Sequence, residues 1–294
     1  MRKRLSLKNH EKWAFYGFIS PWLIGFALFA IGPIIASLYL SFTDYSIISS
    51  AKFVGLKNYS DLFKDSLFWV SLYNTVYYVI LFVPLGIIIS FGLAMFLNQN
   101  VKGLAIYRTI YYLPAVMPAV ANAVLWIWLL DPQWGLINTG LEMIGIRGPG
   151  WLASEQWSKP GIILMSLWSL GSWIIIYLAG LQGVPTQFYD AAEMDGATRL
   201  QKFFNITLPL MTPTIFFTSI IGLIGAFQIF TQAYIMTSGG PVDSTLFYAF
   251  YLYRSAFNYL KMGYASAMAW ILFVIVLIFT LFQFKVSRKW VFYG

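Results

Sequence analysis

The chain has 294 residues, of which 59% are hydrophobic, 19% aromatic and only 10% charged. Soluble domains carry about 25% charged residues, so this composition excludes an ordinary water-soluble protein. The net charge of +8 would suit a nucleic-acid partner, but the charges are confined to short segments and leave long stretches empty.

No residue between Lys12 and Asp44 is charged, and further charge-free runs cover 66–101, 109–130, 160–189, 203–242 and 262–284. Crossing the hydrocarbon core as a helix takes roughly 20 apolar residues, and every run is long enough. The runs predict an all-α membrane protein, one transmembrane domain over 1–294. Its six spans lie at about 14–41, 69–97, 107–130, 161–182, 208–235 and 264–284. The first is full length and lacks a signal-peptidase pattern, so it reads as a retained span. In the 203–242 run, Pro209, Pro213 and the Gly239-Gly240-Pro241 turn leave one long, tilted helix.

Orientation follows from the connections. The N-terminal tail (Arg2, Lys3, Arg4, Lys8, Lys12), Lys102, Arg108, Arg199, Lys202, Lys285, Arg288 and Lys289 put 12 basic residues on one face. The other face has 7. Positive residues stay inside, which predicts cytoplasmic N and C termini. Most tryptophans lie near span ends, as an aromatic belt requires. The external stretch 131–160, rich in Gly, Pro and Trp, suits a cavity cap, a partner dock or an interfacial segment equally.

Cysteine is absent, which excludes disulfides, thiolate metal sites and cysteine nucleophiles. The lone His10, in the basic tail, cannot build a metal site. No lysine follows a glycine, so the phosphate-binding Gly-Lys-Ser/Thr signature is missing. If ATP drives this protein, it and its Mg are held by another subunit, and the chain itself carries no cofactor. An ion-coupled transporter would need an ionisable group inside the membrane, and the runs contain none. An intramembrane enzyme would need a buried base, which the spans do not supply.

The 183–207 connection, GVPTQFYDAAEMDGATRLQKFFNIT, is too long for a turn and too polar to span. Pro185 and Thr186 open a helix, Gly196 interrupts it, and a second short helix is predicted over about 198–204. Ala191 and Ala192 permit close approach by another surface, while Asp190, Glu193 and Asp195 give the knob a negative rim. An interfacial hairpin that only connects two spans fits the same residues.

The pattern DAA-x3-G-x9-I-x-L-P, from Asp190 through Gly196 and Ile206 to Leu208-Pro209, resembles the EAA loop. That loop marks permease subunits of binding-protein-dependent ABC importers. SPWLIGFALFAIGPIIASLYLSFTDY, YRTIYYLPAVMPAVANAVLWIWLLDPQWGLIN and FQIFTQAYIMTSGGP are similar to the carbohydrate-uptake branch that includes the maltose transporter. The resemblance implies a bacterial inner-membrane subunit that pairs with a second homologous permease. It further implies two ATP-binding cassette subunits, an external solute-binding protein and a carbohydrate substrate moved by alternating access. It assigns ATPase coupling to Asp190, Ala191, Ala192, Glu193, Asp195 and Gly196. The family's leading glutamate is Asp190 here, so either Asp190 or Glu193 makes the key contact.

Polarity inside the spans points to a solute pathway at Asn122, Ser169, Ser172 and Gln228, with Trp168, Trp173 and Phe227 beside them. Hydrogen-bonding groups next to aromatic faces suit a sugar's hydroxyl rim and C–H faces. The same polar groups also bond between membrane helices. Relatives in the sugar branch imply contacts near Ala115, Ala119, Gly222, Gly225 and Ala226, all small here. With no fixed positive charge at mid-membrane, a neutral oligosaccharide is expected, and an acidic sugar is the alternative.

Overall fold

The computed structural model describes residues 7–99 and 102–292, so Arg2, Lys3 and Arg4 of the basic tail lie outside the described residues. The chain divides into two compact units, one of residues up to 64 with 253–271, the other of 65–252 with 272 onward.

In the first unit, α1 (Leu7–Phe26) and α2 (Gly32–Ser41) are joined by a π turn at Ala27–Ile31. The wide turn has a local cause. Pro33 has no N–H to donate and its ring crowds the carbonyl of Phe29, which lies inside the π turn. A small antiparallel hairpin follows, β1 (Thr43–Ser46) with β2 (Ser49–Phe53), and then α3 (Lys57–Lys64). The charge-free runs gave no hint of the hairpin, because it lies between spans in a polar stretch. Buried Asn58 ties α3 to its base, donating to the Ser41 and Thr43 carbonyls at 2.8 and 2.9 Å.

The second unit begins with α4 (Ser66–Leu97), N-capped by Asp65, whose carboxylate accepts the Leu67 N–H at 2.9 Å. Then come α5 (Leu104–Val116), α6 (Ala119–Leu129), α7 (Leu136–Met143), α8 (Glu155–Trp168) and α9 (Gly171–Gln182). The connection leading to span five holds α10 (Thr186–Met194) and α11 (Arg199–Lys202). Beyond it lie α12 (Leu208–Phe227), α13 (Thr231–Met236) and α14 (Tyr248–Tyr253). The last helix, α15 (Met262–Ser287), starts in the first unit and ends in the second.

Four helical stretches are long and apolar enough to cross a membrane: Glu11–Ser41, Ser66–Leu97, Arg199–Met236 and Met262–Ser287. Two bent pairs bring the number to six, if each pair is one span. Both bends interrupt segments that the sequence reads as single spans. α5 and α6 meet at 101°. Met117 precedes Pro118 and is extended (ψ 138°), because the proline ring disfavours helix in the residue before it. α8 and α9 meet at 47° across Ser169-Leu170.

Span five differs as well. The second short helix expected over 198–204 is the start of a longer helix. Thr198 caps it with Gln201, and the chain runs on through a π turn at Phe203–Thr207 into α12. Pro209 crowds the carbonyl of Asn205, again inside a π turn, so the proline widens the helix without ending it.

The core of this unit packs α4, α9 and α12 around Phe91, Ala94, Leu97, Ile174, Tyr177, Leu178 and Met211. Gly180 lets α9 and α12 approach closely, since a Cβ there would lie 2.9 Å from Met211 Cε and Thr214 Oγ1. The Tyr177 and Thr218 hydroxyls share a short hydrogen bond across the same contact.

Candidate functional site

A cavity of about 470 Å³ opens where three helices break, at Met117-Pro118, Ser169-Leu170 and Gln228–Phe230. Each break exposes the wall residues around it, and none of the lining residues is charged. Of the pathway residues expected from sequence, Asn122, Ser169, Ser172, Trp173, Gly225 and Gln228 line this cavity together. Ala115, Ala119, Gly222 and Ala226 line it too. Trp168 and Phe227 lie off its wall. Trp168 packs edge-on against Trp126 with ring centroids 6.2 Å apart, and Phe227 is buried against Phe279 at 5.5 Å.

Asn122 is buried, and its Nδ2 donates to Ser169 Oγ at 2.7 Å. This bond ties α6 to the break that starts α9. The Asn122 Oδ1 is buried without a partner among the described residues. A buried carbonyl oxygen left unsatisfied is costly, so a shift of the wall that exposes it would let it accept a hydrogen bond. Gln228 and Ser172 stand exposed on the wall, while Trp173 is half-buried.

The Trp173 indole fixes the cavity's floor. A Cβ at Gly222 would lie 2.4 Å from its Cη2, and one at Gly86 would lie 2.9 Å from its Cζ3. The ring is wedged between α4 and α12, and Phe82 packs on it at 5.8 Å. Gly222 is small to admit Trp173, so its size does not enlarge the cavity.

Sequence reading missed several lining residues, among them Tyr78, Phe82, Ser166, Phe230, Thr231 and Gln232. Thr231 and Gln232 carried a usable signal, since both are polar groups within the 203–242 charge-free run.

The 183–207 connection forms a hairpin of α10 against α11. The end of α10 is a Schellman motif: Gly196 (φ +73°) donates to the Glu193 carbonyl at 3.0 Å, and Ala197 to the Ala192 carbonyl at 2.9 Å. Two ties hold the arms together and a third bond pair caps the second arm. Lys202 Nζ lies 2.9 Å from Glu193 Oε2, the Tyr189 and Thr207 hydroxyls bond at 2.9 Å, and Thr198 and Gln201 cap each other reciprocally. The Lys202 ammonium holds the Glu193 carboxyl below the usual glutamate range, through the hydrogen bond and its charge. Asp190, Ala191, Asp195 and Gly196 are exposed, and Ala192 is half-buried. No residue of α10 is buried. Phe188, Met194, Leu200 and Phe204 are also exposed, so an apolar surface with an acidic rim is left uncovered by this chain.

The family described as binding-protein-dependent transport system inner membrane component matches residues 82–291. A probable ABC transporter permease protein of Bacillus subtilis, YesP, is 44% identical over 100% of this chain and 96% of its own length. The lactose transport system permease protein LacF of Rhizobium radiobacter is 33% identical over 97% of this chain and 98% of its own. A chain from the crystal structure of a bacterial alginate ABC transporter, in complex with an alginate pentasaccharide-bound periplasmic protein, matches with TM-score 0.86. It is 27% identical and covers 98% of both chains.

Proposed function

From a chain that belongs to the inner membrane components of binding-protein-dependent transport systems, we propose a permease that imports an oligosaccharide by alternating access. It is a multi-pass membrane protein and a transport component. ATP and Mg are held by two ATP-binding cassette partners, a second homologous permease completes the pathway, and an external binding protein delivers the solute. In this reading both termini and the α10–α11 hairpin are cytoplasmic.

The observation that carries the reading is the cavity. Its wall offers amides and hydroxyls (Asn122, Ser169, Ser172, Gln228) beside the aromatic faces of Trp173 and Phe230, and it holds no charge. A neutral sugar needs only hydroxyl and amide partners with a flat apolar surface to stack on. A carboxylate moved into such a site is left without a cation from this chain. The lactose permease relative speaks for the same class. One observation favours an acidic sugar instead, the likeness to the alginate transporter, whose substrate is an acidic polysaccharide.

For coupling, the exposed face of the hairpin supports docking to an ATPase, and the two carboxylates divide the work. Glu193 is engaged by Lys202 within the hairpin, whereas the exposed Asp190 forms no side-chain hydrogen bond or ion pair among the described residues, which leaves its carboxylate to meet a basic group of the partner. Asp190 is therefore the carboxylate assigned to the interface.

The test is ATP hydrolysis by the reconstituted complex with its binding protein, measured across neutral and uronate oligosaccharides. Stimulation by neutral oligosaccharides is the expected result. Stimulation by uronates alone would overturn the neutral-sugar reading and leave the importer assignment standing.

A further inference from the structure

A second opening lies between α5 and α9, with a volume of about 370 Å³ and none of the polar character of the first. Its wall is apolar along Leu97, Tyr112, Gly171, Ile174, Ile175 and Leu178. From Gly171 to Leu178 it follows α9 for roughly 10 Å, at 1.5 Å per residue. Tyr112 and Ile175 are exposed, so one side of the groove is uncovered by this chain.

One charged residue lines the groove. Arg108 sits in the second turn of α5 and is half-buried. Its Nη2 reaches the Leu97 carbonyl at 3.4 Å, the far limit of a hydrogen bond, and its Nε is buried with no partner. Among the described residues it forms no ion pair. A guanidinium partly withdrawn from water is costly without an anion, and its planar fork matches phosphate or carboxylate oxygens. The described part of the 98–109 segment contains no acidic residue. With no carboxylate meeting Arg108 among the described residues, an anion from outside the chain fits the site.

A small soluble anion would satisfy Arg108 but leave the apolar length of the groove bare. The occupant that fits both has an anionic phosphate at one end and a long hydrocarbon chain at the other. We propose that this groove binds an anionic phospholipid, its phosphate on Arg108 and one acyl chain along Ile175, Ile174 and Gly171. Basic residues beside grooves between membrane helices recognise such headgroups through charge and hydrogen bonds together. A zwitterionic lipid is a poorer match, because its ammonium would lie beside the Arg108 guanidinium with no carboxylate among the lining residues.

The site touches the transport machinery through α5. At Gly171 the two helices are in close contact, since a Cβ there would lie 2.9 Å from Ala115 Cβ and from the Tyr111 carbonyl. Pro114 and Ala115, on the next turn, line the solute cavity. A lipid seated in the groove braces α5 against α9 at the edge of that cavity.

The experiment uses the assembled complex in nanodiscs of phosphatidylethanolamine alone or with phosphatidylglycerol. Native mass spectrometry reads retained lipid, and the thermal midpoint reads stabilisation. The native complex should retain phosphatidylglycerol through delipidation and melt higher in its presence. Arg108→Gln removes the charge-assisted bonds and should weaken retention roughly tenfold. Ile175→Trp fills the groove from an exposed position while leaving the guanidinium intact, and should give the same loss. It decides the matter if Arg108→Gln does not assemble. Equal retention of phosphatidylethanolamine, or full retention by Ile175→Trp, would overturn the proposal. So would inorganic phosphate raising the midpoint as much as the lipid does. Efficient cross-linking of Tyr112→Cys or Ile175→Cys to the second permease would overturn it as well, since the groove is then a protein interface.

Discussion

Two glycines on α12, one turn apart, illustrate how differently single residues act in this site. Gly222 faces the Trp173 indole, where an added methyl would lie 2.4 and 2.6 Å from ring carbons. The ring is also held against Gly86, so it has little room to move away. Gly222→Ala should therefore cost about 1–3 kcal/mol by overpacking, read as a lowered thermal midpoint of the purified complex. Gly225 meets nothing within 4 Å. Gly225→Ala should keep stability or raise it, by up to about 1 kcal/mol from helix propensity. Equal destabilisation by the two changes would show that Trp173 does not fill the space beside Gly222. Asn122 makes the complementary case, since its Oδ1 lacks a partner among the described residues. Asn122→Ala or Gln228→Ala should weaken solute-stimulated ATP hydrolysis by about 0.5–1.5 kcal/mol, the net worth of a hydrogen bond. Trp168→Ala, which removes a ring packed on Trp126 outside the cavity, should leave stimulation near native.

At the scale of elements, the α10–α11 hairpin is tied within itself and runs without interruption into the helix that walls the cavity. If α10 is the docking element, a push on it would pass through the Glu193–Lys202 and Tyr189–Thr207 ties to a helix that runs unbroken from Arg199 past Gly222 and Gly225. Gly196→Pro breaks the Schellman turn, and Ala192→Trp adds bulk next to the exposed face. Both should abolish solute uptake while the protein still inserts, because the spans are untouched. Normal uptake by Ala192→Trp with ATPases bound would remove the hairpin from the coupling role. The Glu193–Lys202 pair gives this element a pH dependence. The carboxyl is held below its ordinary range in the folded hairpin, so the tie is intact at neutral pH. It is lost only as pH falls through that lowered value. Both groups reach solvent, so the tie is weak and Glu193→Gln should change uptake less than Asp190→Ala does. The hairpin was legible in the sequence because Pro185, Thr186 and Gly196 are local signals whose meaning does not depend on distant residues. The four long apolar helical stretches were legible because charge-free length alone marks them. The 47° bend at Ser169-Leu170 was not, since neither residue breaks a helix and the Asn122 bond that meets it comes from another span. The continuation through Pro209 was hidden for a related reason, because a π turn absorbs the proline and hydropathy does not register turn width.

At the scale of the whole molecule, the distribution of positive charge is the one sequence property that speaks to direction. If the charge-free runs are six spans, twelve basic residues are expected on the side of the 183–207 connection and seven on the side of the 131–160 connection. Basic residues near span ends are retained on the cytoplasmic side, so the first face is expected inside. The bias rests heavily on the N-terminal cluster, and an independent probe of the later connections is the stronger test. The chain has no cysteine, so single introduced thiols report without background. The probes must also be accessible in the fold. Ser287 is only 5% exposed and would resist labelling on either side, whereas Lys289, Gln187 and Glu142 are all exposed. In sealed right-side-out vesicles, Glu142→Cys should react with an impermeant maleimide. Gln187→Cys and Lys289→Cys should react only after the membrane is permeabilised. Labelling of Gln187→Cys from outside with protection of Glu142→Cys would invert the chain. An inverted chain puts the hairpin out of reach of cytoplasmic ATP-binding subunits, so this one measurement tests the coupling role and the direction of transport together.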